Sequence, residues 1–450
     1  MVIPKLSRRR RILAVRLNKN QKCLFSIHLF RGVMELFINT FLTSHIISIT
    51  SDNVLGSGLY NAALFYIAQY VFYALFYFAM SYLVKKSNRV IFLQLGMLVN
   101  LGLVIGLVFW AETIANWIIL TGALCGLSNA FYYASYFVMK NEFAERITIK
   151  KYNILTVLGV SIIKIVVPTI LGFLIDSSSF SNISIYMTIV TVAQIVISLF
   201  ITPFKENTTK LQLLKYCKDL KQDKEARSKI KFTYINALLS GVKNTYKLIL
   251  TVLILYTYKT NFGLGMFTSI SSLITMGLLI LFRVFDNNPK TNKFAIYLII
   301  GLLPFLTSIV LAFWLNEITL VLFNFFLTVA IFFSDYFGSS ERDAIIKHIG
   351  KRQYIAEHQL LIEVLTCLSR TIAYAILLLM GLASNITIFK ILLVVFMLIN
   401  PIKYMVMYKQ RKIRKEFENT NKKENPNKNE SEKLINSKEN FANQTNNEAK

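Results

Sequence analysis

Twelve apolar runs of spanning length follow one another along the chain, at about residues 23–50, 58–84, 90–111, 116–139, 152–175, 183–203, 232–257, 262–284, 294–315, 317–338, 353–381 and 386–408. As helices rising about 1.5 Å per residue, each is long enough to cross the roughly 30 Å hydrocarbon core of a bilayer. The pattern predicts an all-α polytopic membrane protein. The polar connections alternate in charge. Lys85, Lys86 and Arg89 lie in one, Lys140, Arg146, Lys150 and Lys151 in the next on that side, and Arg342, Lys347, Lys351 and Arg352 further on. The intervening connections SDNVLGS, AETIAN and DSSSFSN hold no lysine or arginine. Basic connections stay in the cytoplasm, so both termini are expected there, and Lys259 and Lys390 near the outer surface can snorkel to headgroups.

Between the sixth and seventh runs lies KENTTKLQLLKYCKDLKQDKEARSKIK, whose leucines at helical spacing among mixed charges predict a short amphipathic helix on the inner membrane surface. The chain therefore divides into a basic cytoplasmic N-terminus (1–22), a six-helix bundle (23–203), a cytoplasmic linker (204–231), a second six-helix bundle (232–408) and a tail (409–450). The tail is rich in Asn, Lys and Glu, cannot bury a core, and is expected to be disordered.

The two bundles echo each other. LFRGV at 29–33 aligns with LLSGV at 238–242, setting Gly32 against Gly241. Tyr136-Phe137 with Ala144, Ile149 and Lys151 recurs as Tyr336-Phe337 with Ala344, Ile349 and Lys351, and at the similar offset beyond, Lys164 falls opposite Arg370. The shared order and spacing point to a duplicated six-helix unit.

Composition narrows the function classes. Hydrophobic residues make up 54% of the chain and the mean hydropathy is +0.50, values that a soluble domain does not reach. The formal charge of +26 sits largely in the connections, so topology accounts for it and no nucleic-acid partner is expected. Cys23, Cys125, Cys217 and Cys367 show no CxxC spacing, which indicates neither a disulfide framework nor a metal site. HExxH, GxSxG and a glycine-rich lysine loop are all missing, so neither catalysis nor a cofactor is expected. No short apolar segment with a small-residue cleavage site follows the basic N-terminus, and no cleaved signal peptide is expected.

Charges inside the runs carry the candidate chemistry. Arg31 and Glu35 lie within the first, four apart and so on one helical face. An arginine at the bilayer centre costs roughly 3 kcal/mol, so it persists only against a partner, a protein interior or a water-filled cavity. Lys164, Lys243, Lys247, Glu363 and Arg370 are the other mid-membrane charges; Lys243 and Lys247 share one stripe, as do Glu363 and Arg370. Five cations against Glu35 and Glu363 leave an excess of positive charge that an anionic ligand would neutralise. Asn129 and Tyr133, with Tyr132, Tyr136, Gln69 and Tyr73, add amide, hydroxyl and ring surface suited to an organic anion. Arg31, Lys164, Lys243, Lys247, Arg370, Asn129 and Tyr133 are thus the substrate-binding candidates, and Glu35 and Glu363 the proton-coupling candidates. Arg31 with Glu35 also reads as a self-satisfied structural pair.

Twelve spans, a central cytoplasmic linker, inside termini and a six-helix repeat together resemble the major facilitator superfamily over residues 20–410. In SYLVKKSNRV, Lys86 and Arg89 match the basic positions of the family's loop between helices 2 and 3, while Ser81, Lys85 and Asn88 replace its first glycine, aspartate and second glycine. The corresponding loop of the second half, FRVFDNNPKTNK, keeps Asp286 and Lys290. In VPTILG, Pro168 and Gly172 resemble part of an antiporter motif whose neighbouring glycines are replaced by Val167 and Leu171. The resemblance implies a gating role for Lys86, Arg89, Asp286 and Lys290. It also implies that helices 3, 6, 9 and 12 support the bundle while the rest line a cavity. The expected function is secondary transport of an organic anion or anionic amphiphile across the cell membrane by alternating access, with protons as candidate coupling ion. The chain is expected to work as a monomer in the lipid bilayer. A flippase for an anionic lipid or glycolipid, and a non-transporting receptor or scaffold, are the alternatives.

Labelling of single engineered cysteines tests the topology. Reagent added outside intact cells is expected to reach positions in 51–57 and 176–182 and to spare Lys86 and Lys351. Outside labelling of the Lys86 connection would reverse the orientation.

Overall fold

The computed structural model describes residues 17–49, 54–84, 88–142, 146–202, 211–285, 293–348 and 354–424. The first six spans are α1 (Lys19–Ile49), α2 (Leu59–Leu83), α3 (Arg89–Trp110), α4 (Ile118–Glu142), α5 (Arg146–Ser177) and α6 (Phe180–Leu199). After a linker helix at Leu213–Gln222 come α7 (Lys224–Tyr258), α8 (Asn261–Phe285), α9 (Lys293–Phe313), α10 (Glu317–His348), α11 (Ile355–Ala383) and α12 (Ile386–Ile413). Among the described residues eleven of these are long and apolar enough to cross a membrane, all but α8. The 25 residues of α8 extend about 37 Å and make it the twelfth. The protein is a multi-pass, all-α membrane protein built from two six-helix halves.

The side chains sort as a bilayer demands. Phe109, Phe173, Leu199 and Leu379 stand exposed on the outer faces of α3, α5, α6 and α11, where lipid rather than water is their solvent. Phe37, Phe41, Leu107, Leu253 and Leu377 pack the interior. Helix starts carry local caps. Asn18 and Gln21 form a reciprocal capping box at the head of α1, at 2.8 and 3.0 Å. Asp223 accepts from the Ala226 amide at 2.9 Å, so α7 begins at Lys224, ahead of the 232 boundary read from hydropathy.

The far end also departs from the sequence reading. Residues 409–450 were expected to be disordered, yet the helix that carries α12 runs on to Glu424, and 425–450 lie outside the described residues. Its first polar residues are held by the second half. Gln410 bonds Asn236 at 2.9 Å and Thr233 at 3.1 Å, and Arg411 donates to the Tyr297 hydroxyl at 3.2 Å. The linker helix is amphipathic as expected, and its buried side docks on that half. The Tyr216 hydroxyl sits 2.9 Å from that of Tyr234 and 3.0 Å from His358 Nδ1, while Tyr354 donates to Asp219 at 2.5 Å.

Two seams join the halves, α2 against α11 and α5 against α8. The second brings backbones close enough to require glycine. A Cβ on Gly172 would lie 2.5 Å from the Asn261 carbonyl oxygen, and one on Gly265 would lie 2.3 Å from that of Pro168. At the end of this seam Asp176 accepts from the Asn261 amide (3.1 Å), the Asn261 side chain (2.9 Å) and the Phe262 amide (2.7 Å). A carboxylate of the first half thereby caps a helix of the second, satisfying otherwise orphaned N–H groups at the positive end of the helix dipole. Ser44 of α1 donates to the same Asn261 at 2.6 Å, and Thr169 to Ser269 at 2.8 Å one level deeper. The connection after α5, DSSSFSN, starts at this end, where the α5–α8 seam is closed by the Asp176 contacts.

Removing the Asp176 carboxylate should loosen that end. Loss of a capping side chain costs about 1 kcal/mol, a roughly fivefold shift in a two-state balance. Spin labels at Ser178 and Tyr256, in a background lacking the native cysteines, should show a larger long-distance population in Asp176→Ala. An unchanged distance distribution would mean that the glycine seam alone holds the end closed.

Candidate substrate cavity

A cavity of about 280 Å³ lies between the two halves. Glu35 and Asn39 of α1, Tyr66, Gln69, Tyr70 and Tyr73 of α2, and Asn129, Tyr133 and Phe137 of α4 form one wall. Lys247 of α7 and Glu363, Arg370 and Tyr374 of α11 form the other. Helical spacing explains the walls: Tyr66, Gln69, Tyr70 and Tyr73 recur at i, i+3, i+4 and i+7, as Glu363, Arg370 and Tyr374 do at i, i+7 and i+11.

Behind the first wall sits Arg31, only 2% exposed. Its guanidinium donates to Asn129 Oδ1 and, at 3.3 Å, to Ser128 Oγ; its Nε is 3.5 Å from Glu35, and its carbon lies 5.0 Å from the centre of the Tyr132 ring. Ser128 in turn donates to the Gly96 carbonyl at 2.9 Å. Glu35, 34% exposed, faces the cavity and accepts the Tyr133 hydroxyl proton. Arg31 therefore holds the carboxylate and the Asn129 amide that meet the cavity, rather than meeting it itself.

Directly after Glu35, α1 passes through a π-helical stretch, Phe37–Leu42. Such a stretch widens the turn by one residue and frees carbonyls from the regular ladder. The Asn39 carbonyl accepts the Tyr66 hydroxyl at 3.0 Å, and Thr43 Oγ1 lies 2.9 Å from that hydroxyl. Asn39 thus joins Glu35 on the cavity surface.

Contacts across the α2–α11 seam close one side of the cavity. The Arg370 guanidinium lies over the Tyr70 ring at 4.8 Å, within cation–π range. Tyr374 stacks on Tyr66 at 4.6 Å and on Tyr70 at 5.7 Å. Gln359, one turn before Glu363, donates to that carboxylate at 3.0 Å.

Of the residues picked from the sequence, Glu35, Glu363, Lys247, Arg370, Asn129 and Tyr133 come together around this cavity, with Arg31 behind them. Lys164 and Lys243 do not line it. Val160 and Ile163 of α5 face Gly32 of α1 at 3.9 and 4.0 Å, and Lys164, next along, is exposed outside the lining. Lys243 is half-buried one turn along α7 from Lys247. Of the five expected cations this lining holds Lys247 and Arg370, facing Glu35 and Glu363.

Among the residues assigned to gating, Lys86, Asp286 and Lys290 lie outside the described residues. Arg89 is buried at the head of α3, where its Nε donates to the Val84 carbonyl at 3.2 Å and pins the end of α2. Asn39, Tyr66, Tyr70, Phe137 and Tyr374 were not picked out. The stripes containing Tyr66, Tyr70 and Tyr374 were present in the sequence, whereas the π-helical turn that presents Asn39 leaves no periodic signal.

The sequence model described as Major Facilitator Superfamily matches residues 24–353. A solved structure of a POT family transporter in complex with 5-aminolevulinic acid superposes with a TM-score of 0.66, covering 87% of this chain and 96% of that one. At 12% identity this likeness is one of fold alone. No curated protein matches the chain in sequence.

The different settings of Arg31 and Lys247 are separable by experiment. Arg31→Met removes a buried guanidinium hydrogen-bonded to Ser128 and Asn129 and paired with the cavity-facing Glu35, and should lower stability by about 1–3 kcal/mol. Lys247→Met, at an exposed side chain, should leave stability near that of the parent. Denaturation of the purified protein in detergent checks both, and equal unfolding midpoints for the two variants would contradict the buried role of Arg31.

Proposed function

We infer the function from family and cavity together: the chain belongs to the major facilitator superfamily, and it is a secondary transporter rather than an enzyme. Its cargo is a small organic solute bearing an anionic group, and it moves by rocking of the two halves about the cavity between them. The observation that carries this reading is the pair of cavity-lining cations, Lys247 and Arg370, placed between halves whose seam is latched at one end by Asp176. The packed α2–α11 and α5–α8 seams favour a solute over a lipid, which would need a lateral opening.

The reading extends to topology and coupling. With basic connections inside, the protein lies in the cell membrane with both termini cytoplasmic, and the latched end is the outer one. The described state is then closed to the outside. Both halves come from one chain, so a monomer suffices. In alternating access the cavity must pass through a water-poor state, where an unmatched charge is costly. Glu35 and Glu363, the two carboxylates in the lining, are the seats at which proton binding can make that passage depend on a pH gradient. Arg89 at the head of α3 belongs to the cytoplasmic gate in this scheme.

Proteoliposomes carrying a pH-sensitive dye test the proposal with a panel of carboxylate-bearing metabolites. Glutamine holds a carboxyl position permanently neutral. One of Glu35→Gln and Glu363→Gln should therefore lose solute accumulation driven by a pH gradient while keeping solute exchange. Accumulation that survives in both variants would remove carboxylate-linked proton coupling. A protein that neither exchanges nor accumulates any solute of the panel would remove the transport reading for this cargo class.

A further inference from the structure

The charges around the cavity are divided between its walls, and the division says more about the cargo than their sum does. Every cation in the lining, Lys247 and Arg370, comes from the second half. The first half offers the Glu35 carboxylate, the side-chain amides of Asn39, Gln69 and Asn129, and tyrosine rings, and no lining cation. Its nearest cation, Arg31, is 2% exposed and committed to Asn129, Ser128 and Glu35. One wall is therefore electron-rich and the other net cationic.

We propose that the cargo is amphoteric: a small solute with a protonated amine or comparable cation that docks on Glu35 among the tyrosines, and a carboxylate or comparable anion that docks on Lys247 and Arg370. This rests on the transport reading above and specifies its substrate class. Glu35 has its cation, Arg31, behind the lining with Nε 3.5 Å away, and turns its 34% exposure to the cavity, where a solute carrying an anion alone would leave that side without a cation. A cationic group meets that carboxylate directly, beside the Tyr133 hydroxyl and the Asn39 and Asn129 side chains. With both ends docked, one molecule bridges α1 of the first half and α7 and α11 of the second. Each half then feels the cargo through a different group. Glu363 remains free of the amine in this assignment and is the carboxylate left for proton coupling.

The test uses the full-length protein in nanodiscs and a panel of matched triplets. Each triplet contains an amino acid of three to seven carbons, its carboxylate-only analogue and its amine-only analogue, and binding is read by thermal shift and calorimetry. Charge-assisted contacts of this kind are worth at least about tenfold in affinity. The expected result is that an amphoteric member binds while both of its single-charge analogues bind at least about tenfold more weakly. Glu35→Gln should weaken the amphoteric compound by a similar factor without weakening the carboxylate-only analogue, and Lys247→Gln should weaken the amphoteric compound without weakening the amine-only analogue. Unchanged circular dichroism of both variants excludes misfolding as the cause. If the carboxylate-only compound binds as well as its amphoteric counterpart, or Glu35→Gln leaves the amphoteric compound unaffected, the amphoteric assignment is overturned while transport of an anion stands. If no member of any triplet binds and none is exchanged in proteoliposomes, the transport reading falls with it.

Discussion

A guanidinium fixed in the membrane interior is the constraint on which the first half depends. Arg31 cannot reach water, so the surrounding helices must supply its partners. They do so from α4, with Ser128, Asn129 and the Tyr132 ring, and from its own helix, with Glu35. Satisfying one buried charge thereby fixes the rotation of α1 against α4. It also fixes Ser128 against the Gly96 carbonyl of α3, where a Cβ on Gly96 would lie 2.8 Å from the Tyr132 amide nitrogen. The polar residues that reach the cavity, Glu35 and Asn129, are the outer members of this cluster. The apolar packing and the chemistry of the site are in this sense one arrangement.

The second half is organised differently, and the difference is what gives the cavity two unlike walls. Arg370 reaches across the seam, its guanidinium 4.8 Å from the centre of the Tyr70 ring of α2. Tyr374, one turn on, also stacks on tyrosines of α2. An anion drawn to Arg370 engages a side chain that already joins the halves, so binding and seam packing share a contact. At the latched end, Asp176 and the close approach of Gly172 and Gly265 supply a second junction, independent of the cavity charges. Two junctions of different chemistry allow one end to be held while the other responds to what the cavity contains.

The sequence makes the architecture legible because hydrophobic period and span length are local properties. Twelve runs, the amphipathic linker and the alternation of basic connections need no tertiary information. What hydropathy could not show were ends decided by polar contacts. Asp223 starts α7 early, and Gln410 and Arg411, read as part of a solvated tail, pack against α7 and α9. The site was legible in part for the same reason. Stripes bring Glu363 and Arg370 onto one face, but a stripe gives an angle about a helix axis and not a depth or a neighbour. Lys243, on one stripe with Lys247, and Lys164, opposite Arg370 in the repeat, are not in the lining, and Arg31 lies behind it. Asn39 depends on a local π-helical turn, which has no counterpart in sequence periodicity.

Charge balance links the site to the transport cycle. A cavity lined by five cations and two acids would resist closing when empty, because dehydrating several unmatched cations costs several kcal/mol each. The lining instead carries two cations and two carboxylates, so the empty carrier can pass through a water-poor state without leaving a large net charge there. The same balance sets a condition on loading. A cargo of net charge disturbs it unless a proton or a second charged group travels along, whereas a cargo that is neutral overall but charged at both ends preserves it. Such a cargo also exchanges contacts within the lining for contacts to itself, weakening the hold of each wall on the other. Occupancy is then coupled to the relative position of the halves through differential contacts in the two states, which is the physical content that any population shift requires.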